Sequence, residues 1–307
     1  MKYGLLSSVC GAALIVVAGP AAADNTFSGN INLNYGAGTT SSSNFVLQDV
    51  LDDPQYYTGS AKGYWPLSQE VNLQVDLFAE RTDNLVRDWG TNEHSTTYGG
   101  AVHLLHPFEN RARLGIAGSI WNNDIYVDDG NGQTDKTYGL ALVEGQFFGT
   151  DWTLTGQGGF FGSIGCSDWC GGSLDSGSFI RGKIRYFLHD NTSLSVETVQ
   201  MWGTLDSDDA SIFDGKSAKY SKWKLEAEHR FEGSEFSGLL GLSHETSETE
   251  VTVPETADTD TVWLGIKFYY NETSLRENDK TGAELDTPTF GDLPETDAVL
   301  AEFYGIG

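Results

Sequence analysis

The chain has 307 residues, of which 18 are Lys or Arg and 44 are Asp or Glu, giving a formal net charge of −26 at pH 7. Such acidity argues against nucleic acid as a partner, because the phosphate backbone would be repelled. The chain holds three cysteines, and after the leader described next no segment approaches the roughly 18 consecutive apolar residues of a transmembrane helix.

Residues 1–23 read as a secretory leader. Lys2 precedes an apolar run from Ala12 to Ala18, Gly19 and Pro20 break it, and Ala21, Ala22 and Ala23 supply the small residues of a cleavage site. The apolar core is too short to span a bilayer. Cys10 leaves with the leader, and Val9, where a small residue is needed, argues against a lipoprotein. An exported chain without an apolar helix enters a membrane only as a closed barrel, since hydrocarbon offers no partner to an unpaired backbone group.

Residues 24–271 show twelve period-two segments: 26–35, 57–65, 71–81, 97–106, 111–121, 137–147, 151–161, 178–188, 193–202, 221–231, 236–245 and 261–270. Each is close to the ~9 to 11 residues of a tilted membrane strand. In the first, Phe27, Ile31, Leu33 and Tyr35 alternate with Ser28, Asn30, Asn32 and Asn34; in the third, Val71, Leu73, Val75 and Leu77 alternate with Asn72, Gln74, Asp76 and Glu80. Short connections rich in turn formers (WPLSQE, HPFEN, GT, HDN, GSE) alternate with long ones at 36–56, 82–96, 122–136, 162–177, 203–220 and 246–260. This predicts an all-β fold, a transmembrane antiparallel up-and-down β-barrel of about 12 strands. The short turns face the periplasm and the long loops face outward. Sixteen strands is the alternative count, if the long loops hide further hairpins.

Tyr35, Tyr57, Trp65, Trp152, Trp202, Trp223 and Tyr270 stand at strand ends, as in interfacial girdles. Two strands break the pattern: Leu140 and Leu142 share a face with Glu144, and Phe179 and Phe187 share one with three bases. A bulge that switches faces is the expectation there. The last strand is the clearest, with Val262, Leu264, Ile266, Phe268 and Tyr270 on one face and Trp263, Gly265, Lys267 and Tyr269 on the other. Residues 272–307 lose the alternation and are expected to form a periplasmic tail, with a short helix around Val299, Leu300, Phe303 and Tyr304. The alternative is a tail that folds back onto the barrel mouth or docks a partner.

Parity places Lys62, Arg113, Arg181, Lys183, Arg185, Lys222, Lys224, Arg230 and Lys267 on the lumen side with Glu197, Glu226 and Glu228, and Asp76, Glu80 and Glu144 join them. The expectation is a mildly positive lumen inside a strongly negative protein, with a constriction that favours anions. The bracing alternative pairs these charges across strands, Arg185 opposite Glu197. Twelve strands leave a narrow pore or a plugged one.

Cys166 and Cys170, in GCSDWCGG, are expected to form a small-loop disulfide in an oxidising compartment. No metal or cofactor site is expected; the weak exception is calcium at Asp124, Asp128, Asp129 and Asp135, whose spacing fits a solvated turn better than an EF-hand. No enzyme is expected. Ser243 and His244 are adjacent and so fall on opposite faces, His103 and His229 have no evident partner, and no nucleophile-elbow, phosphate-loop or zinc-protease motif occurs.

Gly265, Phe268 and Tyr270 stand as glycine, two residues, aromatic, one residue, aromatic. With the leader and the alternating loop lengths, they give residues 24–271 a resemblance to Gram-negative outer-membrane barrels of the porin or porin-like type. Inward bases on twelve strands look most like the narrow porins that take up acidic oligosaccharides. The resemblance implies passive diffusion of small polar solutes, anionic ones among them, across the outer membrane. It also implies contact with outer-membrane lipid and lipopolysaccharide, and recognition of the closing signal by the barrel-assembly machinery. The alternative is a closed structural or surface barrel acting through its acidic loops. Porins usually end at the closing aromatic, whereas this chain continues.

Overall fold

The computed structural model describes residues 27–43, 53–83, 94–109, 111–127, 132–168, 174–205, 215–250, 254–270 and 274–288. They form twelve strands: β1 (Ser28–Ser42), β2 (Gln55–Pro66), β3 (Asn72–Asp83), β4 (His94–Phe108), β5 (Ala112–Val127), β6 (Gly132–Phe148), β7 (Trp152–Asp168), β8 (Leu174–His189), β9 (Thr192–Leu205), β10 (Ser217–Arg230), β11 (Phe236–Glu250) and β12 (Pro254–Tyr269). One helix, α1 (Leu275–Thr281), follows. Every strand pairs antiparallel with its sequence neighbours, and β12 closes on β1 from Asn30↔Tyr269 to Ser42↔Ala257, so the sheet has no edge. The expected leader and the expected helix near 299–304 lie outside the described residues.

Closure without an edge suits a chain with an apolar outer belt. Ile116, Ile120, Val143, Leu240, Val262, Leu264 and Ile266 are all more than half exposed, on the faces that period two assigns to lipid. Phe268 packs on Phe236 and Tyr270 at 5.0 and 5.1 Å between ring centres, and Tyr270 on Phe27 at 6.2 Å, near the short-turn rim. Tyr35 and Tyr57 pair at 5.3 Å toward the other rim. An apolar band of this extent on the surface of one chain fits hydrocarbon between two aromatic girdles.

Gly265 has a local reason to be glycine. It lies opposite Asn34 in the β1–β12 ladder, and a Cβ there would fall 1.9 Å from Asn34 Oδ1. Gly241 is similarly covered by the Trp263 ring, 2.3 Å from where its Cβ would be.

Two expectations change. Much of the sequence assigned to long loops is paired strand: Asp124 stands opposite Asp135, and Thr246 opposite Asp258. Beyond the bilayer both faces of a strand meet water, so hydrophobic alternation fades while the hydrogen-bonded ladder continues. The irregular stretches do not switch faces either. Leu140, Leu142 and Glu144 are all buried in the lumen, as are Phe179, Arg181, Arg185 and Phe187, while Val143, Ile180 and Ile184 point to lipid. The irregularities fall elsewhere: the register shifts opposite Thr137 and Tyr138 of β6, and on β8 between Leu174 and Ser176 and between Phe187 and His189, so that Leu174 and Phe179, of opposite parity, are both buried. Period two marked the faces correctly, but the lumen accepts apolar side chains as well as polar ones.

Val143 lies in the middle of β6, 64% exposed. Val143→Arg is expected to cost about 2–4 kcal/mol if this position is near the bilayer midplane; the check is the folded, heat-modifiable fraction on gels after refolding into lipid, compared with Val143→Leu.

Candidate functional site: a basic lumen and its C-terminal occupant

The lumen is filled in two parts. Toward the loop end, Trp121, Tyr138, Leu140, Leu142, Phe161, Phe179, Leu174, Val199, Met201 and Leu205 form one buried cluster, with Trp121 stacked on Tyr138 at 5.2 Å. Toward the short-turn end, the charged wall carries residues 274–288, which turn back from β12 into the barrel.

The local sequence explains that turn. Ser274 caps α1, its hydroxyl accepting from the Glu277 amide at 3.2 Å, and Lys280 sits in the last turn. Leu275 buries against Phe187 and Tyr269. Arg276 pairs with Asp151 at 3.2 Å and Asp190 at 3.3 Å, both in short turns, which fixes the helix at that mouth. After Gly282 the chain runs extended, and Ala283 and Leu285 pack on Tyr64 and Leu105.

Its carbonyls are satisfied by wall side chains rather than by strand pairing. Arg113 donates to the carbonyls of Asp279 (2.8 Å) and Gly282 (3.0 Å), Asn30 to Ala283 (2.9 Å), and Gln74 and Lys62 to Leu285 (2.7 and 2.8 Å). Gln157 and Arg181 donate to Asp286 at 3.0 and 2.9 Å. Buried backbone groups need such partners, so the wall is a fitted groove for this segment.

The acids of the segment meet the predicted bases. Glu284 accepts from Arg185 at 2.9 Å and Lys267 at 3.2 Å, and Asn278 donates to it at 2.7 Å. Asp286 pairs with Lys62, with Arg181 at 3.2 Å and with Lys183 at 3.3 Å. Asp279 accepts from Arg185 at 3.1 Å and from the Thr153 hydroxyl. Wall acids take the remaining donors: Glu197 binds Arg181 through both oxygens, at 2.9 and 2.7 Å, and Glu228 takes Arg185 and the Tyr269 hydroxyl.

Of the other predicted lining residues, Lys222 pairs with Glu245 at 2.6 Å, and Lys224 pairs with Glu226 at 2.8 Å and lies over the Trp263 ring at 4.5 Å. Arg230 stands apart near the short-turn rim, donating to the Ser234 carbonyl at 3.0 Å and covering the Tyr269 ring. The positive excess expected from parity is therefore offset, because the tail brings Asp279, Glu284 and Asp286 into the lumen. The expected Arg185–Glu197 pair is also corrected: Arg185 lies opposite Ser195 and Lys183 opposite Glu197, with a register irregularity at Phe187/His189.

His103 is the residue that sequence reasoning left without a partner. The register surrounds it with Glu144 at 2.8 Å, Asp76 at 3.2 Å and Thr287 of the tail at 3.1 Å. None of these is close to it in sequence. His244 faces outward to Asp260 at 2.9 Å while Ser243 faces the lumen, so the two share no site. Among the described residues no group of three acids, histidines or cysteines could hold a metal. Asp135 accepts from Asn122, whereas Asp128, Asp129 and Cys170 lie outside the described residues.

Cavities remain beside the segment and along the wall beyond it. One of about 200 Å³ is lined by Arg181, Lys183, Lys267, Glu226, Glu284 and Asp286 among others. A second, of about 220 Å³, shares Lys222 and Lys224 with it and is bordered by Glu80, Ser243, Thr261 and Trp263.

A closed twelve-strand up-and-down barrel with a lipid-facing belt decides the fold. It is that of an outer-membrane β-barrel. An outer-membrane channel of Pseudomonas putida F1 has a similar fold, at 12% identity and a TM-score of 0.51, covering 81% of this chain and 97% of that one. The translocator domain of the autotransporter NalP from Neisseria meningitidis (14% identity, TM-score 0.44, 87% and 97% covered) and the KdgM porin (7%, 0.43, 78% and 99%) are more distant in shape and carry no argument here. No protein-family model and no curated protein matches the sequence.

Burial in this barrel would raise the Glu284 carboxyl, but Lys267 and Arg185 beside it, with Lys62 and Lys183, hold it down at about 2. Burial likewise opposes ionisation of Asp286, and Lys62, Lys183 and Arg181 override it and keep it well below the usual range. Groups depressed on seating stabilise the seated tail above their free values, near 4, and that contribution is lost as pH falls through the depressed ones. Hydrogen exchange of 282–287, corrected for intrinsic rate, is therefore expected to show unchanged protection from pH 7 to 5 and loss only below about pH 4. Arg113→Ala is expected to remove protection at neutral pH and to open Arg276 and Lys280 to trypsin.

Proposed function

We propose that the chain is an outer-membrane channel for passive diffusion of small polar solutes, with anions preferred, and that it performs no covalent chemistry. The observation that carries this reading is the cavity space along the basic wall, where two neighbouring cavities share Lys222 and Lys224 and one of them reaches Glu284 and Asp286 of the tail. A barrel built only as a scaffold has no need of water-sized space beside seven lumen bases, from Lys62 to Lys267. The tail is held mainly by ion pairs and hydrogen bonds, contacts that water and solutes exchange readily once the segment lifts. The apolar belt would meet outer-membrane lipid and lipopolysaccharide, and Gly265, Phe268 and Tyr270 would present the closing strand to the assembly machinery. A disulfide between Cys166 and Cys170 would close a small ring at the end of β7.

A second reading, a closed structural barrel, is favoured by the cluster around Trp121 and Met201 that fills the other side of the lumen. Single-channel recording in a planar bilayer under a salt gradient separates the two. The channel reading expects discrete openings with an anion-selective reversal potential, which moves toward zero or cation selectivity when Arg181, Lys183 and Arg185 become Ser. A folded barrel that stays silent, including after removal of residues 272–307, would establish the structural reading instead.

A further inference from the structure

The wall bases are not equally dependent on the tail. Arg181 keeps Glu197, and Arg185 keeps Glu228, whatever the tail does. Lys62 and Lys183 differ: among the described residues, their ion pairs are all to Asp286. Lys267 has Glu284 at 3.2 Å and reaches Glu228 only at 4.0 Å. Lys62, Arg181, Arg185 and Lys267 are more than nine-tenths buried. Ammonium groups held this deep need an anion, and the tail provides one at each of two points.

The two points lie close together in the chain, because Glu284 and Asp286 are separated by one residue. Both acids border the 200 Å³ cavity. Leu285, between them, packs the other way, onto Tyr64 and Leu105.

We propose that Lys62, Arg181 and Lys183, together with Arg185 and Lys267, form a binding site for linear dicarboxylates, of which Glu284 and Asp286 are the resident intramolecular occupants. One carboxylate of the solute takes the place of Asp286 among Lys62, Arg181 and Lys183, and the other takes the place of Glu284 between Arg185 and Lys267. Entry of the solute and release of residues 282–287 are then the same event, a competition for shared cations. The delivery of solute through the lumen rests on the channel reading; the site itself does not.

The test uses the full chain in detergent micelles, with adipate as the dicarboxylate, hexanoate as the monocarboxylate and the capped peptide Ala-Glu-Leu-Asp-Thr, the sequence of residues 283–287. In the unaltered protein, adipate is expected to raise hydrogen exchange of 282–287 at least fivefold at constant ionic strength, and hexanoate is expected to leave it unchanged. The variant Glu284→Gln with Asp286→Asn, checked for heat-modifiable folding, should bind adipate at least tenfold more tightly by calorimetry, because its own tail no longer competes. Adding Lys62→Met and Lys183→Met should abolish that gain. Equal effects of adipate and hexanoate, or no adipate binding to the folded double variant, would overturn the site. Binding of the peptide without binding of adipate would overturn the small-solute assignment in favour of acidic peptides. Conductance is not read here, so a non-conducting barrel that still binds adipate defeats only the channel reading.

Discussion

No backbone amide or carbonyl facing hydrocarbon can go unpaired, and the rest of this structure depends on that constraint. It forces the first strand onto the last and so removes every edge. Closure at twelve strands then creates an interior too wide for the inward side chains to fill completely, unlike an eight-strand barrel. What occupies that interior becomes the main structural question, and the chain answers it with two different materials.

Around Trp121, Tyr138 and Phe179 the interior is packed as a soluble core would be, with rings and aliphatic chains in contact. On the other side it is a charged network in which wall and tail share cations. The two fillings have opposite properties. Apolar packing excludes water and has no reason to open, whereas a seat built from Arg, Lys and carboxylates stays in exchange with water in the neighbouring cavities. The cavities beside the charged network lie along the wall formed by β8 to β12 and β1 to β3.

The barrel was legible because period two is written directly into the strands: Val262, Leu264 and Ile266 announce lipid, and Lys267 and Tyr269 announce the lumen. The same parity puts Lys62, Arg181, Arg185 and Lys267 on the buried faces of their strands. What parity cannot convey is register or long-range occupancy. Nothing in the spacing of Arg185 says that it faces Ser195 rather than Glu197, because a bulge near the turn shifts the count. Nor does the composition of 274–288 show that Glu284 and Asp286 belong among strand bases that lie between 17 and 224 residues earlier in the chain. A signal was present all the same: a buried row of bases has to find acids, and the wall offers too few for Lys62 and Lys183. The strand extensions beyond the bilayer were missed for a different reason, since a wet ladder has no hydrophobic signature.

The seat for the tail draws Asn30 from β1, Lys62 from β2, Arg113 from β5, Arg181 and Arg185 from β8, and Lys267 from β12. These strands come from all around the circumference and are neighbours of one segment only once the cylinder exists. An open sheet, with β1 and β12 apart, offers no such site. Residues 274–288 can therefore dock only once the seam has joined, and they act as an internal cross-tie that only a correctly completed barrel can fasten.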